Sequence, residues 1–525
     1  MPGYISNIRR AALLFVVLCS PLAAASQTSD RDEANFRSLQ EAVEAIREGR
    51  LGQAEAALNS VLAAVPRDPD ALNLLGVVRA SQQRAADAER LFRRALAASP
   101  AHVGAHINLG ELYIAEKKPR QALQILLAAH KLAPERPDVN LSLATLYEDT
   151  REYESALRHL RLIPPSAASA EYYQLLLTSL LKLNRLEEAR GLALELKETN
   201  AGDAEGQVKL AMLLAGGGLS VEALELLEAA RARAPESFAV LYALGVVNAA
   251  TKRYEKADEY LTVALRAKPD DVTALRAMAS VARASGNLEK ALAQLIRARR
   301  VAPDSPAVLY DFGVTALKMD LLLDALPAFQ QLHSSHPDEP AYIYALAATS
   351  LRKGERAEAA RLMKRYVVLR PRDASGFYLL GAALHSLSQF AEARAALERS
   401  LKLKYDTDAE YLLGVTFGEE GNRVAAIETL RRVVGARPTH AAAHGALGAA
   451  YREQGDYAES RAELERAVAL DPNDLRASYQ LGLVYAKLGD KDAAKKMFER
   501  ADVLRGQQRK EESVILKLVE PPPQN

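Results

Sequence analysis

Apolar and polar positions along this chain follow the spacing of paired helices, and the pairing recurs. Aligning segments on one small residue gives Ala42, Gly76, Gly110, Ala144, Leu177, Ala211, Gly245, Ala279, Gly313, Ala347, Gly381, Gly414, Gly448 and Gly482, spaced by 34 residues except for two steps of 33. With that residue as position 8, position 7 is Leu in eleven of fourteen segments, and position 20 is Ala in thirteen, Ser460 being the exception. Only Glu41 breaks the apolar column at position 7, as expected where a terminal unit faces water on one side. A Pro stands at position 32 in ten segments, from Pro66 to Pro472. Each segment is therefore expected to be two antiparallel helices. Helix A starts near position 1, where Asp68-Pro69, Ser305-Pro306 and Glu339-Pro340 put a polar residue before a Pro whose missing N–H is no loss. It ends near position 15, which is Gly in seven segments and calls for a left-handed residue; helix B then runs to position 32. Small residues at 8 and 20 let the two helices approach, while Leu at 7 and Leu or Phe at 24 fill the seam.

The segment Ala441–Asp474, with Leu447-Gly448, Tyr451, Ser460, Leu464, Ala467 and Pro472 at positions 7, 8, 11, 20, 24, 27 and 32, resembles the tetratricopeptide repeat. His444 replaces that family's position-4 Trp, and the chain has no Trp. The resemblance implies an all-α fold, a right-handed α-α superhelical solenoid of helix-turn-helix repeats starting at 35, 69, 103, 137, 170, 204, 238, 272, 306, 340, 374, 407, 441 and 475. It also implies a concave face lined by helix A positions 2, 5, 9, 12 and 13. On that reading the partner-binding residues are Tyr242, Tyr310, Tyr344, Tyr378, Tyr411 and Tyr479 at position 5, with Val314, Leu317, Lys318, Leu351, Arg352 and His385. Tyrosine buries much area with few rotors and keeps a polar tip, which suits a binding surface. The Lys and Asn clamp by which some family members hold carboxylates does not carry over: position 9 is never Asn, and position 6 is Asn only at Asn108.

Outside the array, residues 1–25 read as a signal peptide. Arg9-Arg10 precede the apolar run Ala11–Cys19, and Ala23-Ala24-Ala25 offers a cleavage site. Residues 26–34 read as a disordered lead-in and residues 509–525 as a capping helix with a Pro-rich tail. Two places are irregular: Pro164-Pro165 closes the fourth repeat early, and Tyr405 stands where a Pro is usual.

Charge narrows the function classes. Lys plus Arg number 68 against 67 Asp plus Glu, a balance that argues against a nucleic-acid partner. The single Cys, Cys19, excludes disulfides within the chain. No catalytic or phosphate-binding motif is present. The His102/His106 and His440/His444 pairs straddle a helix start, and Asp68-x-Asp70 and Asp406-x-Asp408 are helix-start acids, so no metal, cofactor or catalytic residue is expected. The chain is thus expected to be an exported, periplasmic or secreted, non-catalytic scaffold or adaptor for protein or peptide partners. It would have no integral membrane span once the leader is cleaved, a retained N-terminal anchor being the alternative, and would serve bacterial envelope assembly or export. The alternative is a targeting or regulatory subunit of a separately encoded glycosyltransferase or peptidase. The sequence leaves the oligomeric state open.

Overall fold

The computed structural model describes residues 30–199 and 203–508 of the 525. The expected signal peptide and capping helix lie outside the described residues. Two compact units meet at Pro269/Asp270, so each holds seven helix pairs. Among the described residues every regular element is helical, and none of the helices is long and apolar enough to cross a membrane.

Helix A begins at Pro69, Val103, Pro137, Ala170, Ala204 and Phe238 in the first unit. In the second it begins at Val272, Pro306, Pro340, Ala374, Thr407, Ala441 and Leu475. The starts are built locally. Asp68, Asp203, Asp271 and Asp474 each accept a hydrogen bond from the backbone N–H three residues on, and Pro opens the helix at 69, 137, 306 and 340. His102 and His440 do the same work: their Nδ1 atoms accept from Ala105 N at 2.9 Å and Ala443 N at 3.2 Å. The first helix departs from expectation. It runs Asp30–Arg47, so residues 30–34 are helical rather than a disordered lead-in. That end of the sequence is acidic, which suits the positive pole of a helix, and Glu33 pairs with Arg37 one turn on at 3.6 Å.

Every helix A ends on a left-handed residue at position 15. Seven are the glycines of the sequence pattern, with φ between 73° and 99°. The other seven are Gln83, Lys117, Arg151, Asn184, Lys252, Asp320 and Ser388, held between 56° and 63°, the narrow well open to residues with a Cβ. The next residue's N–H bonds back to the carbonyl five residues earlier, as Arg253 does to Asn248 at 2.9 Å, which closes the turn. The backbone bond, not glycine, sets the turn. Gly354 sits at φ 89° with open space where a Cβ would go, so it isolates the conformational cost. Gly354→Ala is expected to lose ~1 kcal/mol of stability, read as a lower urea midpoint.

The seam between helices A and B is sterically exact in its columns. A Cβ on Gly76 would lie 2.4 Å from the Phe92 ring, one on Gly245 2.5 Å from Leu261, and one on Gly313 2.7 Å from Phe329. Position 8 is therefore small because position 24 occupies the space. In the fifth repeat the sizes are exchanged: Leu177 stands at position 8 and Ala193 at position 24, and both are buried in one cluster. Ser460, in the Ala column, stays buried by donating to the Gly448 carbonyl at 2.6 Å.

In the fourth repeat the second helix stops after eight residues, Tyr153–Leu160, and a 3-10 turn at Pro165–Ala167 leads to the next helix. Second helices elsewhere have 14 or 18 residues. Pro164-Pro165 supplies the break, since neither residue donates a backbone hydrogen bond and each restricts the residue before it.

Candidate functional site

First-helix positions 2, 5, 9, 12 and 13 form one face within each unit, and burial decides which of the expected residues a partner can reach. In the second unit Tyr310, Tyr378 and Tyr411 are partly buried, and Tyr479 is 42% exposed. Three of these rings lean on a neighbour. Tyr310 meets Phe329 at 6.1 Å and Tyr342 at 5.8 Å between centroids, Tyr411 meets His440 at 4.9 Å, and Tyr479 meets Phe498 at 5.6 Å. Burial pushes the Tyr378 hydroxyl up to about 12 and raises that of Tyr411, so both stay protonated donors. Val314 is partly exposed and Lys318 is exposed. In the first unit Tyr242 is partly buried and stacks on Phe238 at 5.9 Å.

Three expected residues are not on the surface. Tyr344 is 3% exposed, and Leu317 and Leu351 are 7% and 6% exposed. Tyr344 turns onto Tyr366, with ring centroids 5.4 Å apart. Tyr366 stands at position 27, where Ala95, Ala129, Ala264 and Ala298 stand in other repeats, and so offers an interior aromatic partner found nowhere else in that column. Gly376 makes the room: a Cβ there would lie 2.5 Å from the Tyr366 ring. Leu317 and Leu351 are absorbed into the core cluster shared by successive repeats. Arg352 is on the face, but its guanidinium is committed to the end of the preceding first helix. There it donates to the Leu317 carbonyl at 2.9 Å and pairs with Asp320. His385 is partly buried, bonded to Thr416 Oγ1 at 3.1 Å, and burial lowers its basicity despite Glu419. What the structure brings together is a row of tyrosines with Val314 and Lys318; the cationic rim is thinner than the sequence suggested.

The first unit carries groups that the sequence reading passed over. Glu111, at position 9, accepts from Ser142 Oγ at 2.9 Å, yet burial, aided by Glu171 and Asp138, pushes its carboxyl up to about 7. Glu148 and Asp149, at positions 12 and 13 of the next repeat, are also raised, chiefly by burial. Asn108 Nδ2 donates to Asn73 Oδ1 at 2.9 Å across one repeat step. Reading positions 9, 12 and 13 in the first unit as they were read in the second would have found these acids.

Among the described residues no group of three or more His, Cys, Asp or Glu side chains is placed to hold a metal ion. The histidine pairs have structural roles: besides the caps above, His444 bonds Glu463 Oε2 at 2.6 Å and the Pro438 carbonyl at 3.0 Å.

A family model described as tetratricopeptide repeat matches residues 39–103, 208–272, 276–340, 344–409 and 378–441, together more than half of the chain. Related repeat models match 79–129, 114–180, 448–489 and 475–505. No curated protein matches the chain. Among solved structures it is similar to MamA 41-end from Desulfovibrio magneticus RS-1, at 27% identity over 32% of this chain and 97% of that one, TM-score 0.30. A tetratricopeptide repeat protein from Parabacteroides merdae matches at 17% identity over 44% of this chain and 93% of that one, TM-score 0.39. A chain of the Cut9-Hcn1 hetero-tetramer of the APC/C matches at 15% identity over 96% of both chains, TM-score 0.42. With thirteen helix pairs beginning in the family's register and its model matching most of their length, this chain belongs to the tetratricopeptide repeat family, an all-α repeat solenoid of the kind that serves as a protein-interaction scaffold.

Proposed function

We propose that the chain is an exported, non-catalytic adaptor that holds a protein or peptide partner along the first-helix face of its second unit, in bacterial envelope assembly or export. The observation that carries the reading is the tyrosine row. Tyr310, Tyr378, Tyr411 and Tyr479 keep exposed area beside Val314 and Lys318, on helices whose opposite sides are locked into the core. Such a face is rigid and amphipathic, so a bound segment meets ordered rings at little entropic cost. The export component rests on the leader-like pattern of residues 9–25, and the absence of catalysis on the lack of any catalytic motif in the sequence.

The test is photocrosslinking from a benzophenone residue at 310, 378 or 411 in cells, with position 364 on an outward second helix as the control. The expected result is a discrete adduct from the three face positions and none from 364. Equal adducts from 364 would overturn the face assignment. A captured partner dominated by one glycosyltransferase or peptidase would favour the regulatory-subunit alternative.

A further inference from the structure

The junction of the third and fourth repeats holds two histidines in ring contact. His130 comes from the second helix Pro119–Leu132 and His159 from the short helix Tyr153–Leu160, one residue before its end. Their ring centroids are 4.9 Å apart, edge to face, and His159 stacks on Tyr147 at 5.6 Å with 14° between planes. The surroundings fix its tautomer. Asn140 is fully buried, and its Nδ2 donates to the carbonyls of Pro134 at 2.8 Å and Arg136 at 3.0 Å, so its Oδ1 faces the imidazole. His159 Nδ1, 3.0 Å from that oxygen, must therefore carry the proton and donate it. The neutral ring has its remaining lone pair on Nε2, and that is where a second proton would go. His130 Nδ1 is itself buried without a hydrogen-bond partner.

The charges around His159 do not welcome a cation. Burial holds its pKa down to about 4, and His130 and then Arg158 push the same way. From the helix Pro137–Asp149 come Tyr147 and Asn140, both uncharged. Asp138 on that helix is paired with Arg136, and Glu152 acts on Tyr147. From Ala170–Lys182 the residues that join the same apolar cluster are Leu175, Tyr172 and Leu176, none of them charged. Lys131, beside His130 in sequence, is exposed. No carboxylate is among the groups acting on His159. The helix that would have to absorb the new charge is also the shortest second helix of the described residues, with the fewest turns to hold it in place.

We infer that this junction is an acid-sensitive joint, in which protonation of His159 against the His130 ring releases the helix Tyr153–Leu160 from its neighbours and loosens the first-helix face of the fourth repeat. The sign follows from linkage. Between pH 6.5 and about 4 the native ring binds fewer protons than the unfolded one, so local stability falls as pH falls through that window and is unaffected above it. The joint goes beyond the adaptor reading and does not depend on which partner the second unit holds.

Hydrogen exchange on the full chain tests it, at pH 7 and pH 4.5 with the intrinsic rates corrected. Peptides within 119–160 should lose protection on the order of tenfold at pH 4.5, a displacement of this size discounted for half-burial, while peptides within 238–267, which hold no histidine, keep theirs. In His159→Asn, whose amide keeps the donor to Asn140 without a titrating ring, that loss should shrink to within about twofold. An undiminished loss in His159→Asn, or one spread evenly over the chain, would overturn the joint. Imidazole resonances of the unaltered protein give a second reading if that variant does not fold: titration of His159 below pH 5 supports the joint, and titration near 6.5 sinks it.

Discussion

Gly313→Leu is expected to lower the stability of the ninth repeat by ~3 kcal/mol or more, at the upper end for overpacking a closed seam. Even a Cβ at that site would lie 2.7 Å from two atoms of the Phe329 ring, which is fully buried and has no free direction in which to turn. Exchange of the 306–335 amides would report the loss locally. The mechanism is separable from a generic dislike of Leu at a Gly site. In the fifth repeat Leu177 occupies the same position against Ala193, so the fold accepts a large residue there when position 24 is small. Phe329→Ala alone should cost ~3–5 kcal/mol through the cavity it leaves. The double variant should be more stable than the sum of the two single losses implies, by ~1–3 kcal/mol of coupling. Strict additivity would show that the two positions do not share the space.

Tyr366→Ala should rank with it, at ~3–5 kcal/mol. Tyr366 is 1% exposed, and its ring fills the gap beside Gly376 and receives Tyr344. Its hydroxyl donates to Asp373 Oδ2 at 2.5 Å, and the other oxygen of that carboxylate caps the following helix through the Ser375 N–H at 3.0 Å. Tyr366→Phe removes the hydrogen bond and keeps the ring, so it should cost only ~1–2 kcal/mol. A Phe variant as damaged as the Ala variant would place the energy in the hydrogen bond and not in the packing. The ring also explains the tyrosine row: with Tyr366 gone, Tyr344 loses its interior partner and should gain solvent exposure, measurable as faster nitration by tetranitromethane.

Much of the architecture could be read before any coordinates, because each column of the repeat meets the same surroundings many times over. A small residue at position 8 always faces position 24, and an acid or Pro at the start always caps or opens the same helix, so local chemistry and tertiary packing agree. The candidate face was less legible. Position 5 is periodic in sequence, yet Tyr344 is buried while Tyr310 and Tyr378 are only partly so, because the ring that Tyr344 leans on comes from a column that drifts. Tyr366 in place of Ala moves Tyr344 inside, while Tyr342 and Phe329 leave Tyr310 at the surface. The raised carboxyl of Glu111 was hidden for a related reason: its neighbours Ser142, Asp138 and Glu171 lie one and two repeats away in sequence.

The order of amino acids by itself determined that helices form in pairs on a 34-residue period, where the first helix of every repeat but the first begins, and that the seam between them is narrow, since these depend on contacts within one repeat. Only the packed chain decided that Lys252 or Asp320 takes a left-handed turn as readily as Gly354, that Leu177 trades size with Ala193, and that Tyr344 is interior. Those outcomes depend on side chains meeting across helices and across repeats, where one neighbour's volume or charge fixes the space and the protonation state left for the other.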